Sequence, residues 1–211
     1  MSHPYYPTTL DIPNYVPNQR STLQLLVTAG VMMTCLMAAC ITTGTTFSKK
    51  TTSVSRFTWF CVSGILHLGF ESYWLWHRHT LAGQSDLLAE LWKEYAHGDS
   101  RYLSADELLL TLEVMTVFVW GPLCILTGWF ILRGSNKQYF FQLVASLCHI
   151  FSCSLYFLMD LPQAVHCDPS PIYFYIYFIA FNSPWIIVPL MLVYQSYQHI
   201  DEAFKTKTKI Q

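Results

Sequence analysis

Apolar residues along this 211-residue chain gather into long runs separated by short polar breaks. A helix needs about 20 such residues to cross the hydrocarbon core of a bilayer. Five stretches meet that length, at about 22–46, 57–77, 108–132, 138–159 and 172–197. No charge falls between Ser21 and Ser48 in the first. His67 and Glu71 interrupt the second and Glu113 the third. His149 is the one ionisable group of the fourth besides Tyr and Cys, and the fifth has none besides Tyr. The pattern predicts an all-α, polytopic membrane protein. A five-helix bundle spans 22–200, between an N-terminal tail (1–21) and a basic C-terminal tail (201–211).

End signals agree with these spans. Ser104-x-x-Glu107 reads as a capping box opening the third helix. Gly134-Ser-Asn reads as a turn before the fourth, and Asp168-Pro-Ser-Pro171 leads into the fifth, where a first-turn proline is tolerated. Lys and Arg placement sets orientation. If odd-numbered helices end in the cytoplasm, Lys49, Lys50, Arg56, Arg133, Lys137, Lys205, Lys207 and Lys209 are cytoplasmic. Arg20, Arg78, Lys93 and Arg101 then lie opposite. The N-terminus is expected on the luminal side and the C-terminus in the cytoplasm. The terminal Lys207-Thr-Lys209-Ile-Gln211 resembles an endoplasmic reticulum retrieval signal; it also suits a lipid-headgroup anchor.

Composition adds to this. Hydrophobic residues make up 53% of the chain and charged ones only 12%, about half the usual share for a soluble domain. A net charge of −1 supplies no electrostatic basis for a nucleic-acid partner. The seven cysteines (Cys35, Cys40, Cys61, Cys124, Cys148, Cys153 and Cys167) are odd in number and irregularly spaced. They read as small buried hydrophobes, not as disulfides or a metal cluster. The Pro-rich start, without a charged segment leading into a short apolar core, argues against a cleaved signal peptide.

The polar residues inside the spans carry the chemistry. His67 and Glu71 share one face of the second helix. Glu113, Thr116 and Trp120 share a face of the third. Gln142, Ser146, His149, Cys153 and Tyr156 form one stripe on the fourth, and Asn182 and Trp185 sit three apart on the fifth. In lipid such faces turn inward, because an unpaired polar group in hydrocarbon is costly. A carboxylate at mid-membrane costs at least roughly 2.5–3.5 kcal/mol. Gln142, Ser146 and Asn182 also suit plain interhelical hydrogen bonding, and His149 a satisfied core histidine. Two buried carboxylates beside an imidazole suit proton addition and removal. An indole face suits a passing cation. Proton-coupled transport is a weaker reading, because the spans show no internal repeat and no pair of broken helices.

Trp92-Lys-Glu-Tyr-Ala-His-Gly-Asp-Ser-Arg-Tyr102 resembles the signature loop of the emopamil-binding protein (EXPERA) family. His67-Leu-Gly-Phe-Glu71, Glu113-x-x-Thr116, Trp120-Gly-Pro122, Asn182-x-x-Trp185, His3-Pro-Tyr-Tyr-Pro7 and Val16-Pro-Asn18 resemble it too, over roughly residues 3–200. The resemblance implies a 3β-hydroxysteroid Δ8–Δ7 isomerase of sterol synthesis in the endoplasmic reticulum membrane, working through a carbocation without a cofactor or metal. His67, Glu71 and Glu113 would handle protons and charge. Thr116, Asn182, Trp185, Tyr102 and Trp120 would hold the substrate. The implied partners are a Δ8-sterol, cationic amphiphilic amines as inhibitors and the lipid bilayer; a homodimer is admitted. In the fourth helix the family pattern, close to Gln-Ile-Tyr-Gly-Asp, is replaced by His149-Ile-Phe-Ser-Cys153. The alternative function is a non-catalytic sterol- or amine-binding membrane protein. For the Trp92–Tyr102 segment, a lid and an interfacial anchor are both open.

Overall fold

The computed structural model describes residues 3–47, 53–161 and 163–208. Lys49, Lys50 and the terminal Lys209-Ile-Gln211, used above for orientation and retrieval, lie outside them. Helix α1 (Thr22–Phe47) buries only Leu25, Cys40 and Gly44, so most of its apolar surface faces outward. That suits lipid and not water. Helix α2 (residues 54–77) opens at Ser53, whose hydroxyl accepts from the Arg56 N–H. It is α-helical over Val54–Leu66, π-helical over His67–Glu71 and α-helical again over Ser72–His77. Two short helices follow, α3 (Leu87–Tyr95) and α4 (Arg101–Ser104).

Helix α5 (Glu107–Leu132) contains a second π segment, Thr116–Trp120. The capping box predicted at Ser104 does not form. Ala105 takes the left-handed conformation (φ 53°) and separates α4 from α5. Asp106 becomes the cap, its carboxylate accepting from the Leu109 N–H at 2.8 Å, while the Ser104 hydroxyl donates to Arg101 O within α4. Gly134 (φ 60°) turns the chain into α6 (Lys137–Asp160). Helix α7 (residues 173–208) departs from the single run predicted. It is π-helical over Tyr173–Ala180, turns at 181–183 and resumes at Pro184–Thr208. Pro184 lacks the N–H that a continuous helix requires and restricts the residue before it, so it starts a helix better than it continues one.

Four helices, α1, α5, α6 and α7, are long and apolar enough to cross a bilayer. No strand occurs among the described residues. The packing is most extensive between α6 and α7 and between α2 and α5, with α1 against α2 and α5 against α6. Small residues let α2 and α5 approach closely. A Cβ on Gly64 would lie 2.7 Å from the Ile125 side chain, and one on Gly121 would lie 3.2 Å from His67 Cβ.

The tail 3–20 and the loops 78–106 and 161–171 form one folded cap at one end. Glu90 holds the tail by accepting from the Gln19 N–H (2.7 Å) and from the Arg20 side chain (2.8 Å). Lys93 Nζ donates to Val16 O (2.8 Å) and Gln84 O (2.7 Å). The Ser100 and Asp168 N–H groups cross-link the two loops through His166 O and His97 O. Glu94 accepts from Thr22 on α1 (3.1 Å) and Tyr177 on α7 (2.8 Å). The Trp92–Tyr102 segment is packed into this cap. Trp92, Lys93, Asp99, Ser100, Arg101 and Tyr102 are all buried.

Candidate active site

The polar stripes predicted on separate helices meet between two apolar clusters. One cluster, at the cap, includes Tyr5, Trp74, Trp92, Tyr102 and Leu103; the other includes Phe57, Phe60, Ile131 and Leu192. Helix α2 runs through both, with His67–Glu71 between them. A π turn carries an extra residue and re-aims the side chains around it, a device common at functional sites. Here the π segments of α2 and α5 pack against each other.

His67 Nδ1 lies 2.8 Å from both carboxylate oxygens of Glu71. With Glu71 ionised, Nδ1 donates to it and Nε2 keeps a lone pair. His67 Nε2 is 3.1 Å from His149 Nε2 on α6, and Cys124 Sγ on α5 is 3.4 Å from that same His149 nitrogen. His67, Cys124 and His149 are all buried, and their ligand atoms lie within 4.8 Å of one another. Trp59 stands edge-on to His149 (6.3 Å between centroids) and 5.7 Å from Trp185.

Glu113, also buried, accepts a 2.7 Å hydrogen bond from the Tyr102 hydroxyl on Oε1. Its Oε2 has no partner among the described residues. The charges of Glu71 and Asp99 reach it. Tyr102 stacks its ring edge toward Tyr95 (5.5 Å), and the Tyr95 hydroxyl accepts from Asn182 Nδ2 at 3.0 Å. Asn182 Nδ2 also donates to Phe178 O at 2.8 Å. The signature loop therefore supplies one hydroxyl to Glu113 and another to Asn182, from two tyrosines in edge-on ring contact.

Thr116 is buried, but its hydroxyl donates to Leu112 O one turn back (3.0 Å). Trp120 and Trp185 keep indole N–H groups without a partner, as does Trp59. Three orphaned donors of this kind are unusual in a finished core and suit a ligand that brings an oxygen or a cation. Leu68, next to His67, joins Pro122, Ile125, Leu126 and Trp129 in lining an open apolar groove of about 520 Å³.

Four neighbours of the cluster escaped sequence reasoning as site residues. Tyr95 lay in plain view inside the loop motif. Trp59 sits eight residues before His67 on one helical face, and Cys124 four after Trp120, so extending each stripe by one step finds both. His149 stood in the stripe but had been read as a core residue. Its contact with His67 depends on how α6 crosses α2, which no single helix encodes.

Residues 87–196 match the family described as EXPERA (EXPanded EBP superfamily). A 3-beta-hydroxysteroid-Delta(8),Delta(7)-isomerase of Rattus norvegicus is 31% identical, covering 95% of this chain and 90% of the rat protein. A probable isomerase of the same name from Oryza sativa subsp. japonica is 31% identical over 98% of this chain and 97% of its own. A protoglabretal synthase of Ailanthus altissima is 28% identical over 96% and 94%. The chain belongs to the EXPERA family of the expanded emopamil-binding protein superfamily.

Proposed function

We propose that this protein is a sterol isomerase that moves a ring double bond from C8=C9 to C7=C8, acting on 3β-hydroxysteroids within the endoplasmic reticulum membrane. The reaction adds a proton at C9, leaves a cation at C8 and removes a proton from C7, so it needs one group that gives a proton and one that takes it. The observation that carries the reading is the packing of two π segments that hold separate carboxyl groups, Glu71 paired with His67 on one and Glu113 buried beside the other. Glu113, with Oε1 held by Tyr102 and Oε2 free, is suited to give the proton. The His67–Glu71 couple is suited to take one and to sit beside the cation. Trp185, with Trp59 beside it, offers an indole face to the same cation, and cationic amphiphilic amines are expected to compete for that face. The apolar groove beside Leu68 lies where a sterol would approach from lipid.

Five spans fit this reading. The tail before α1 and the loops after α2 and α6 share one cap. If α1 leaves the cap side, α2 must return to it, so α2 crosses as well. The cap is then luminal and the C-terminus cytoplasmic.

The test is expression in cells that lack their own Δ8–Δ7 isomerase, followed by sterol profiling. Δ7 sterols should appear. Persistent Δ8 sterols with well-folded protein at the membrane would sink the proposal. The contact of His149 with His67 Nε2, the nitrogen a base would use, favours a second reading as a non-catalytic binder of sterols or amines. Tight amine binding without sterol turnover would decide for it.

A further inference from the structure

We propose that His67, Cys124 and His149 form a zinc(II)-binding site, and that the bound ion inhibits proton transfer at His67. The metal site itself stands on geometry alone; only its inhibitory effect rests on the isomerase reading.

Two of the three donor–donor distances fit an ion, and all three donor atoms lie within 4.8 Å of one another. Zinc–nitrogen bonds of about 2.0–2.1 Å and a zinc–sulfur bond of about 2.3 Å, at tetrahedral angles, put two nitrogens about 3.3 Å apart and nitrogen about 3.6 Å from sulfur. The structure has the two Nε2 atoms 3.1 Å apart and Cys124 Sγ 3.4 Å from His149 Nε2. Three helices converge to make this set, one donor each from α2, α5 and α6.

Hydrogen bonding alone serves the cluster poorly. With His67 Nδ1–H given to Glu71, His67 Nε2 can only accept. The proton must then sit on His149 Nε2, which cannot also accept from the Cys124 thiol. His149 Nδ1 has no partner among the described residues, with or without an ion on Nε2. An ion between the three atoms uses every lone pair that faces inward.

The surroundings suit zinc. Glu71 on the far nitrogen of His67 is the carboxylate–histidine pairing that orients and strengthens a metal-bound imidazole. A thiolate and the Glu71 carboxylate together balance the two positive charges, which matters in a low-dielectric interior. Two imidazoles and one thiolate are soft to borderline donors that favour zinc over magnesium or calcium. The fourth position remains for water or a ligand. Zinc on His67 Nε2 occupies the lone pair that would otherwise take a proton, so the loaded protein is the less active one.

The test uses the full chain purified in detergent, stripped with a chelator and titrated with zinc(II), then with cobalt(II) as the spectroscopic probe. One equivalent of zinc per chain is expected. Cobalt should give the intense visible bands of a tetrahedral site and a thiolate-to-metal band in the near ultraviolet. Cys124→Ser should remove the thiolate band, and both Cys124→Ser and His149→Gln should weaken zinc binding at least about tenfold. Gel filtration of each variant confirms that it is folded. In turnover assays, zinc should suppress sterol isomerisation by the wild type, and Cys124→Ala should relieve that suppression relative to its own metal-free rate. Absence of a bound equivalent in folded wild-type protein would overturn the metal site, as would unchanged affinity in both variants. Bound zinc in a chain that turns over no sterol even when stripped would leave the metal site standing and remove the isomerase.

Discussion

At the scale of single residues, Glu113 and Tyr102 make the sharpest predictions. Glu113→Gln keeps the shape but removes the exchangeable proton. It should lower isomerisation by about 100-fold or more, the usual worth of a positioned acid, with expression unchanged by immunoblot. Tyr102→Phe removes one hydroxyl from Glu113 Oε1. A hydrogen bond to a charged or charge-bearing group is worth about 1.5–3 kcal/mol, so turnover should fall by about 10- to 100-fold in sterol assays while the fold persists. Trp185→Ala tests the cation contact. Amine affinity should weaken by about 2- to 30-fold, the range that spans exposed to desolvated cation–π pairs. Unchanged affinity in a binding titration would remove the indole from the mechanism.

Among the helices, close approach decides more than propensity. A Cβ on Gly98 would come within 2.8 Å of Tyr177 Cβ and 3.2 Å of the Phe178 backbone nitrogen. Neither atom belongs to a flexible side-chain end, so Gly98→Ala must separate the signature loop from α7. Overpacking of this kind costs about 1–3 kcal/mol, and thermal unfolding in detergent should fall to lower temperature. The three π segments lie at or beside His67, Glu71, Thr116 and Asn182.

For the molecule as a whole, stability should depend on the cap. His166 in the loop 161–171 is paired with Asp160 at 2.7 Å. The hydrogen bond to that carboxylate holds the imidazole above its ordinary 6.5, against a smaller opposing effect of burial. A group whose value is raised by folding contributes fully below its unfolded value and loses that contribution as pH rises through the folded one. The wild type should therefore exceed His166→Gln in thermal stability at about pH 6, and the gap should close as the pH climbs above 6.5 and through the raised folded value. A gap that widens with pH would contradict the pairing.

The arrangement of apolar runs alone determined the helical class, three strongly apolar spans to within a few residues, the start of a fourth whose helix runs on past the predicted end, and the stripes of polar side chains. Those properties are local, since lipid demands apolar length and helical period puts polar groups on one face. The residues of the loop motif identified the family for the same reason, being adjacent in the chain. Tertiary structure decided the rest. Tyr102 reaches Glu113 because the loop is folded under the tail, and the turn that Pro184 starts brings Asn182 to Tyr95. Cys124, read from the sequence as a small apolar filler, faces two imidazoles because three helices cross at one level. Contacts between helices depend on crossing angle and depth, which the order of residues along any one of them does not specify.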